Sequence, residues 1–393
     1  MSCSQPLLPT RKQRQFFADN GQLKTPYLLV DLDVIEAQYR RLMHAFPFVK
    51  CYYAVKCNPA AAIIRKLRGL GARFETASLA EIELCLEQGV DPGDIHFGNT
   101  IKSATAIREA YFRGVHSFSV DCEMELLKVA RHAPHAKVSL RLETDGEGAT
   151  FGLDRKFGAS ADDVLALMLK AEDLGMNCYG VAFHVGSQQM DPGAWVRALE
   201  NVATVFERAA QHGIQPRLVN LGGGFPVVSN PPMAPGIPDA TPDISAFGKA
   251  IRETASRLLP ADTHFVVEPG RYLAAEAGVL RATVLLVSER GAPGARAPWL
   301  FLDVGRFNGL HDAGTVRFPM LTEKDPHHER RSTVLAGPTC DGDDILYDES
   351  AGIRLPATMG EGDTLYFLGT GVYTTTFSTV CFNGFPALAE YYI

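Results

Sequence analysis

No stretch of this 393-residue chain is apolar for long enough to cross a bilayer. The opening "MSCSQPLLPTRKQRQFF" lacks an apolar core of signal-peptide length, so the chain is expected to stay in the cytoplasm, away from membranes. Basic residues are not in excess. There are 38 Lys and Arg against 45 Asp and Glu, a net charge of −7, and no basic run is interleaved with aromatics, which excludes a nucleic-acid footprint. The eight cysteines, at 3, 51, 57, 85, 122, 178, 340 and 381, form no CxxC pair and follow no regular spacing, so they read as reduced thiols and no metal site is expected. The dinucleotide fingerprint GxGxxG is missing as well. What remains is a chain 46% hydrophobic and 21% charged, with room for two domains and small molecules as its expected partners.

After a polar start, "TPYLLVDL" (25–32) reads as a strand and Val34 to Ala45 as a helix with Asp33 as its N-cap. Short apolar or β-branched runs then recur at 50–56, 72–78, 95–100, 116–121, 137–144, 178–186, 217–224 and 263–270. Helix-patterned segments such as "AAAIIRKLRGLG" and "SADDVLALMLKAEDLG" lie between them, many ending in Gly. Eight buried-looking strands alternating with helices predict an α/β fold, a (β/α)₈ TIM barrel, over 33–277. From 278 to 393 turn-rich strands such as "PWLFLDVG" and "DTLYFLGTGVYTTTF" predict a second, all-β domain. The Pro/Gly-rich "NPPMAPGIPDATPD" (230–243) is expected to be an excursion after the seventh barrel strand.

Chemistry in such barrels collects where strands end, and the residues there are unusually polar: Lys56, Glu75 with Ser78, Asn99, Asp121, Arg141, His184 with Ser187, Gly222 to Gly224, and Glu268 with Arg271. Any one of them would pass as a loop residue, and a lone His184 as a core histidine. Together they suggest more. "NLGGGFP" offers unobstructed backbone amides for an anion, and "EPGRY" on the next loop adds Arg271 where these barrels commonly hold phosphate. A buried Glu268 needs a cation, which a protonated ring nitrogen would supply. A lysine ending a strand, as Lys56 does in "CYYAVKCNP", suits Schiff-base chemistry if its amine sits in a dry pocket. The combination points to pyridoxal 5′-phosphate.

The motifs "YYAVKCNP", "FETASLAEI", "FGNTIK", "FHVGSQ", "NLGGGFP", "EPGRY", "GPTCDGDD" and "TGVYTTTFSTVCFNGFP" run nearly the length of the chain. In that order the chain resembles the fold-type III, alanine-racemase-like decarboxylases, most of all the bacterial ornithine/lysine decarboxylases. The resemblance implies a barrel plus a β domain that also takes the N-terminal segment (1–32), assembled as a head-to-tail homodimer with active sites shared at the interface. It implies that Lys56 holds the cofactor aldehyde, Glu268 pairs with the pyridine nitrogen, His184 stacks on the ring and Arg141 lies beside it. It assigns the phosphate to Ser187, Gly223, Gly224, Arg271 and Tyr373. From the neighbouring subunit it draws Cys340, which protonates the α-carbon after carbon dioxide leaves, and Asp341, which binds the substrate's distal ammonium, with Asp303 as a second carboxylate for that ammonium. The implied reaction is L-ornithine to putrescine, with L-lysine to cadaverine beside it, in polyamine synthesis.

Three departures from the family pattern stand out. Glu75 replaces the common Asp, "HDAGTVRFP" is shorter than the acidic stretch usual after "GRFNGL", and "APGIPDATPD" is long. Diaminopimelate decarboxylase shares the fold, but its family carries Glu after the cysteine, where Asp341 stands here; a specialised-metabolite precursor is a further alternative substrate. Alanine racemase lacks the "CDGD" segment. A catalytically inactive regulatory homologue is the rival of another class, against which intact Lys56, Glu268 and Cys340 argue.

Overall fold

The computed structural model describes residues 7–153, 155–227, 243–292, 296–324 and 327–393. All of the expected excursion at 230–243 except Asp243, and Cys3, lie outside the described residues. The chain divides into two compact units: of the described residues the first contains Glu36–Pro226 and 243–273, and the second contains the N-terminal segment up to Ile35, Val227 and Ala274–Ile393.

Strand β1 (Tyr27–Val30) belongs to the second unit. The first is a closed barrel. Its wall begins with β2 (Val49–Ala54), β3 (Arg73–Thr76), β4 (Ile95–Phe97), β5 (Ser117–Val120) and β6 (Lys137–Arg141). A short β7 (Ala149–Phe151) stands outside the wall and pairs with β9 (Ser187–Gln189), while β8 (Asn177–Ala182), β10 (Leu218–Asn220) and β11 (His264–Val267) complete the ring. Every pairing around the wall is parallel, and β11 closes back onto β2. All eight expected runs are the eight barrel strands. Each run outlasts its strand at the C-terminal end, by one residue at Asp121 past Val120 and by four at Gly186 past Ala182. The polar residues at issue therefore sit just beyond the wall, where the backbone leaves the ladder.

Local chemistry accounts for the boundaries. Ser78, Ser103 and Ser160 accept hydrogen bonds from the amides of Glu81, Ala106 and Asp163 and so start the helices that follow three strands. The helix Leu32–Ala45 begins earlier than expected because Asp31, not Asp33, caps it: the Asp31 carboxylate accepts from the Asp33 amide at 3.0 Å. Aromatic and aliphatic side chains such as Phe74, Phe97, Phe118 and Val181 fill the layer between wall and helices and are essentially inaccessible.

The second unit is built on a mostly antiparallel sheet. Its long strand β12 (Gly278–Arg290) pairs with β13 (Ala297–Leu302) and with β1. The small strands β14 (Met320–Thr322), β15 (Arg330–Ser332), β16 (Val334–Ala336), β17 (Ile345–Tyr347) and β18 (Arg354–Pro356) follow, then β19 (Thr364–Leu368) and β20 (Ala389–Tyr392). The order β14-β19-β12-β13-β16-β17 makes one sheet, β1 bridges β12 and β20, and β15 pairs only with β18. The N-terminal strand is thus an integral member of the β domain.

Candidate active site

In the barrel unit the pleat puts Ala54, Glu75 and His96 side by side across β2, β3 and β4, and Arg141, Ala182 and Asn220 across β6, β8 and β10. Lys56 lies two residues past the end of β2, in the tight turn Val55–Cys57. Its ammonium stands 3.9 Å from Glu75 Oε2, yet half of its side chain is exposed, so the dry pocket expected around this amine is not built by its own surroundings. Glu75 is buried, and its Oε2 accepts no hydrogen bond among the described residues. Its extra methylene is accommodated at Gly98, where a Cβ would fall 2.6 Å from Oε1. Burial raises the Glu75 pKa to about 7, with Lys56 and Arg141 opposing the shift and Glu268 adding to it.

Glu268 follows β11 and is held from one side. Asn220 Nδ2 donates to its Oε1 at 2.6 Å, and Asn220 Oδ1 is fixed in turn by the Gly222 amide at 3.0 Å. Burial pushes the Glu268 pKa up against the pull of Asn220, Lys56 and Arg141. Burial keeps both carboxylates raised although Lys56 and Arg141 oppose it, so a further positive group beside them would be favoured. His184, after β8, accepts the Gly186 amide at Nδ1 (3.1 Å), which leaves the proton of the neutral ring on Nε2. Its pKa is pushed down to about 3, by burial first and then by Arg141 and Lys56, so it is neutral in ordinary buffers.

The glycine turn after β10 tolerates no side chains. A Cβ on Gly222 (φ +66) would lie 2.3 Å from Phe183 O, on Gly223 2.4 Å from Glu268 O, and on Gly224 (φ +96) 2.1 Å from Gly186 O. Among the described residues the Gly223 and Gly224 amides donate to no protein acceptor, so both are available to an anion. Arg271 is buried, its guanidinium 5.4 Å from the ring centre of Phe151 on β7, while Ser187 opens the partner strand β9 opposite that same Phe151. Lys56, Glu75, Arg141, His184 and Glu268 interact electrostatically, and two buried carboxylates, a lysine amine and unpaired glycine amides on one barrel unit fit pyridoxal 5′-phosphate.

Other strand-end residues have scaffold duties. Asn99 Oδ1 accepts the Ile101 amide, and Asp121 accepts the Thr100 hydroxyl at 2.8 Å and the Gly158 amide at 3.1 Å. Lys102, which sequence reasoning passed over, is fully buried, and its ammonium bonds Ser119 O at 2.6 Å, Asn99 O at 2.7 Å and Glu125 at 3.1 Å. Asn220 was equally hidden, although it precedes the glycines in "NLGGG".

In the β unit Cys340 and Asp341 are both exposed. Asp341 Oδ1 accepts the Asp343 amide at 2.9 Å, an Asx turn. Asp344, which reads from sequence as part of a solvated turn, is buried instead: it accepts the Arg306 amide, the Thr339 amide and the Thr339 hydroxyl at 2.8, 3.1 and 2.7 Å. Asp303 is occupied within this unit, for its Oδ1 accepts the Thr283 amide at 2.8 Å and its carboxylate also bonds Thr25, while burial raises its pKa. That geometry gives Asp303 a structural duty between β12 and β13 rather than a free carboxylate for an ammonium. Tyr373 has φ +54 and packs 5.0 Å from Phe377.

A family profile described as "Pyridoxal-dependent decarboxylase, pyridoxal binding domain" matches residues 32–275. The lysine/ornithine decarboxylase of Selenomonas ruminantium is 33% identical over 368 residues, covering 93% of this chain and 88% of that protein. The crystal structure of the Vibrio vulnificus lysine/ornithine decarboxylase complexed with cadaverine superimposes with a TM-score of 0.86 at 30% identity, over 98% of this chain and 100% of the other. The Paramecium bursaria Chlorella virus arginine decarboxylase bound to agmatine gives 0.85 at 27% identity, over 96% and 99%.

Proposed function

Since this chain belongs to the pyridoxal-dependent decarboxylases, we propose that it releases carbon dioxide from a basic L-amino acid, L-ornithine first and L-lysine second. The observation that carries the substrate class is Asp341, an exposed carboxylate directly after the exposed thiol of Cys340. A proton donor and an ammonium partner on one turn suit a substrate with a positive group at its far end.

Pyridoxal 5′-phosphate, when bound, supplies an electron sink for the carbanion that loss of carbon dioxide leaves. In our reading the Lys56 amine would hold its aldehyde carbon, and Gly223, Gly224, Ser187, Arg271 and Tyr373 would hold its phosphate. Asn220 engages Glu268 Oε1, so that the remaining carboxylate oxygen would be left to keep a proton on the ring nitrogen of a bound cofactor. His184, neutral and locked by Gly186, offers a flat uncharged face, and Arg141 sets the positive potential beside Glu268. Cys340 Sγ–H delivers a proton to the α-carbon, and Asp341 fixes the distal ammonium. Cys340 and Asp341 reach the site from a second copy of the chain in a head-to-tail homodimer. An exposed apolar cluster of Phe377, Val380 and Phe382 on the unit that carries Cys340 supports an interface there.

A product assay of the cofactor-loaded protein against ornithine, lysine, arginine and diaminopimelate tests this. Putrescine should form fastest and cadaverine next, with a margin of about one to two orders of magnitude at most, since one methylene is at stake. Diaminopimelate as the best substrate would refute the role of Asp341, and the lack of a visible band from lysine-bound cofactor would favour the inactive homologue.

A further inference from the structure

The loop that carries Cys340 is tied at two points. From inside, Asp344 accepts three donors on residues 306 and 339, and its carboxylate fills the space that a Cβ on Gly305 or Gly337 would take, 2.1 and 2.2 Å away. That tie ends one residue short of the thiol. From outside, the Cys340 amide itself donates to Asn383 Oδ1 at 3.0 Å, across 43 residues of chain.

The turn that presents Asn383 is costly in backbone terms. Cys381 (φ +65), Asn383 (φ +51) and Gly384 (φ +78) are all left-handed, a conformation that non-glycine residues adopt only where the surroundings impose it. The turn is closed by Cys381 N–H donating to Phe385 O at 3.0 Å and by Gly384 N–H donating to Cys381 O at 2.9 Å. Its start is pinned by the Thr379 amide and hydroxyl, which donate to Phe307 O at 2.7 and 2.8 Å. Asn, like Asp, tolerates the left-handed region better than most residues because its short polar side chain can hydrogen-bond locally. The strained turn therefore ends in an acceptor aimed at one backbone amide.

We propose that Asn383 is a positioning residue for Cys340, setting the direction of its Sγ–H bond. The inference rests on the reading of Cys340 as proton donor. In that step the S–H bond breaks, a C–H bond forms on the α-carbon with the carbanion's electron pair, and the thiolate regains a proton from solvent. With a misaimed thiol the proton would reach the cofactor's aldehyde carbon instead; the cofactor would keep the electron pair and the substrate's nitrogen as an amine, water would supply the oxygen, and the substrate would leave as an aldehyde.

The informative variant is Asn383→Gly, which suits φ +51 and removes the acceptor with the rest of the side chain, with Asn383→Asp as the rescue that restores an acceptor. Hydrogen exchange of the Cys340 amide, read by peptide mass spectrometry on the holoenzyme, should be faster in Asn383→Gly and normal in Asn383→Asp. The amine-to-aldehyde ratio should fall roughly three- to tenfold in Asn383→Gly, the effect of one hydrogen bond, with Tm within a few degrees of wild type. Asn383→Ala gives the same readouts should the glycine variant fold poorly. Unchanged exchange, or faster exchange with an unchanged ratio, overturns the inference. Cys340→Ala is run in parallel: if it too leaves the ratio unchanged, the proton-donor reading fails and this inference with it, whereas a changed ratio in Cys340→Ala alone sinks only the role of Asn383.

Discussion

Glu75 shows how one methylene can be absorbed at the residue scale. The longer acid lies over the bare Cα of Gly98, keeps one oxygen near Lys56 and shares a buried field with Glu268. Folding lifts its pKa from 4.5 to about 7, so across that window the folded chain keeps a proton that the unfolded chain releases. Stability of the cofactor-free protein should fall as pH rises through the window and level off above it, by on the order of 1–3 kcal/mol. Glu75→Gln should match wild type in Tm below the window and exceed it above, as thermal melts at pH 4 and pH 8 would reveal; equal pH dependence would show that Glu75 is not the titrating group. At the same scale, borohydride reduction of the loaded protein should leave its adduct on the Lys56 peptide. An adduct on any other lysine would displace Lys56 from the role given to it above.

At the scale of elements, the barrel's loops are anchored by charges as much as by packing. The ammonium of Lys102 ties the carbonyls of Asn99 and Ser119, and so links the segments that leave β4 and β5, with Glu125 as its counter-charge. Replacing it with methionine would leave two carbonyls without their donor and Glu125 with Lys128 as its remaining counter-charge. Lys102→Met should lower stability by about 1–3 kcal/mol in denaturant melts and loosen the loops at Asn99 and Asp121. Lys102→Met, Glu125→Leu together should recover part of that loss, because the buried carboxylate goes with the ammonium and Lys128, the other partner of Glu125, is exposed enough to turn to solvent. Asp344 does comparable service in the β domain, and the glycines facing it at 305 and 337 are there for lack of room.

At the scale of the whole molecule, the shared site of the proposed homodimer has a numerical consequence. Lys56→Ala and Cys340→Ala should each be inactive or severely impaired. After mixing and subunit exchange about half of the dimers would pair one of each, and each of these would have one intact and one doubly damaged site. Activity should therefore recover to roughly a quarter of wild type. No recovery despite demonstrated exchange would place both residues in one chain.

Much of this was legible in the sequence because it depends on short-range patterns. The eight barrel strands are apolar runs bounded by glycine and serine signals, and the glycine triplet, Lys56 and Glu268 stand where those runs end, so period and position sufficed. What escaped is what depends on partners far along the chain. Asp344 and Asp341 look alike in "CDGDD", yet one is buried under three donors and the other is exposed, a difference made by Arg306 and Thr339. Asp303 looked like a ligand until the Thr283 amide claimed it, and Asn383 became relevant only when the fold brought it to Cys340. Sequence alone determined the ladder and the kinds of side chain at its end. Tertiary structure decided which of those polar atoms are already satisfied and which remain open to a ligand, because hydrogen bonds are made between groups that folding brings within about 3 Å, whatever their separation in the chain.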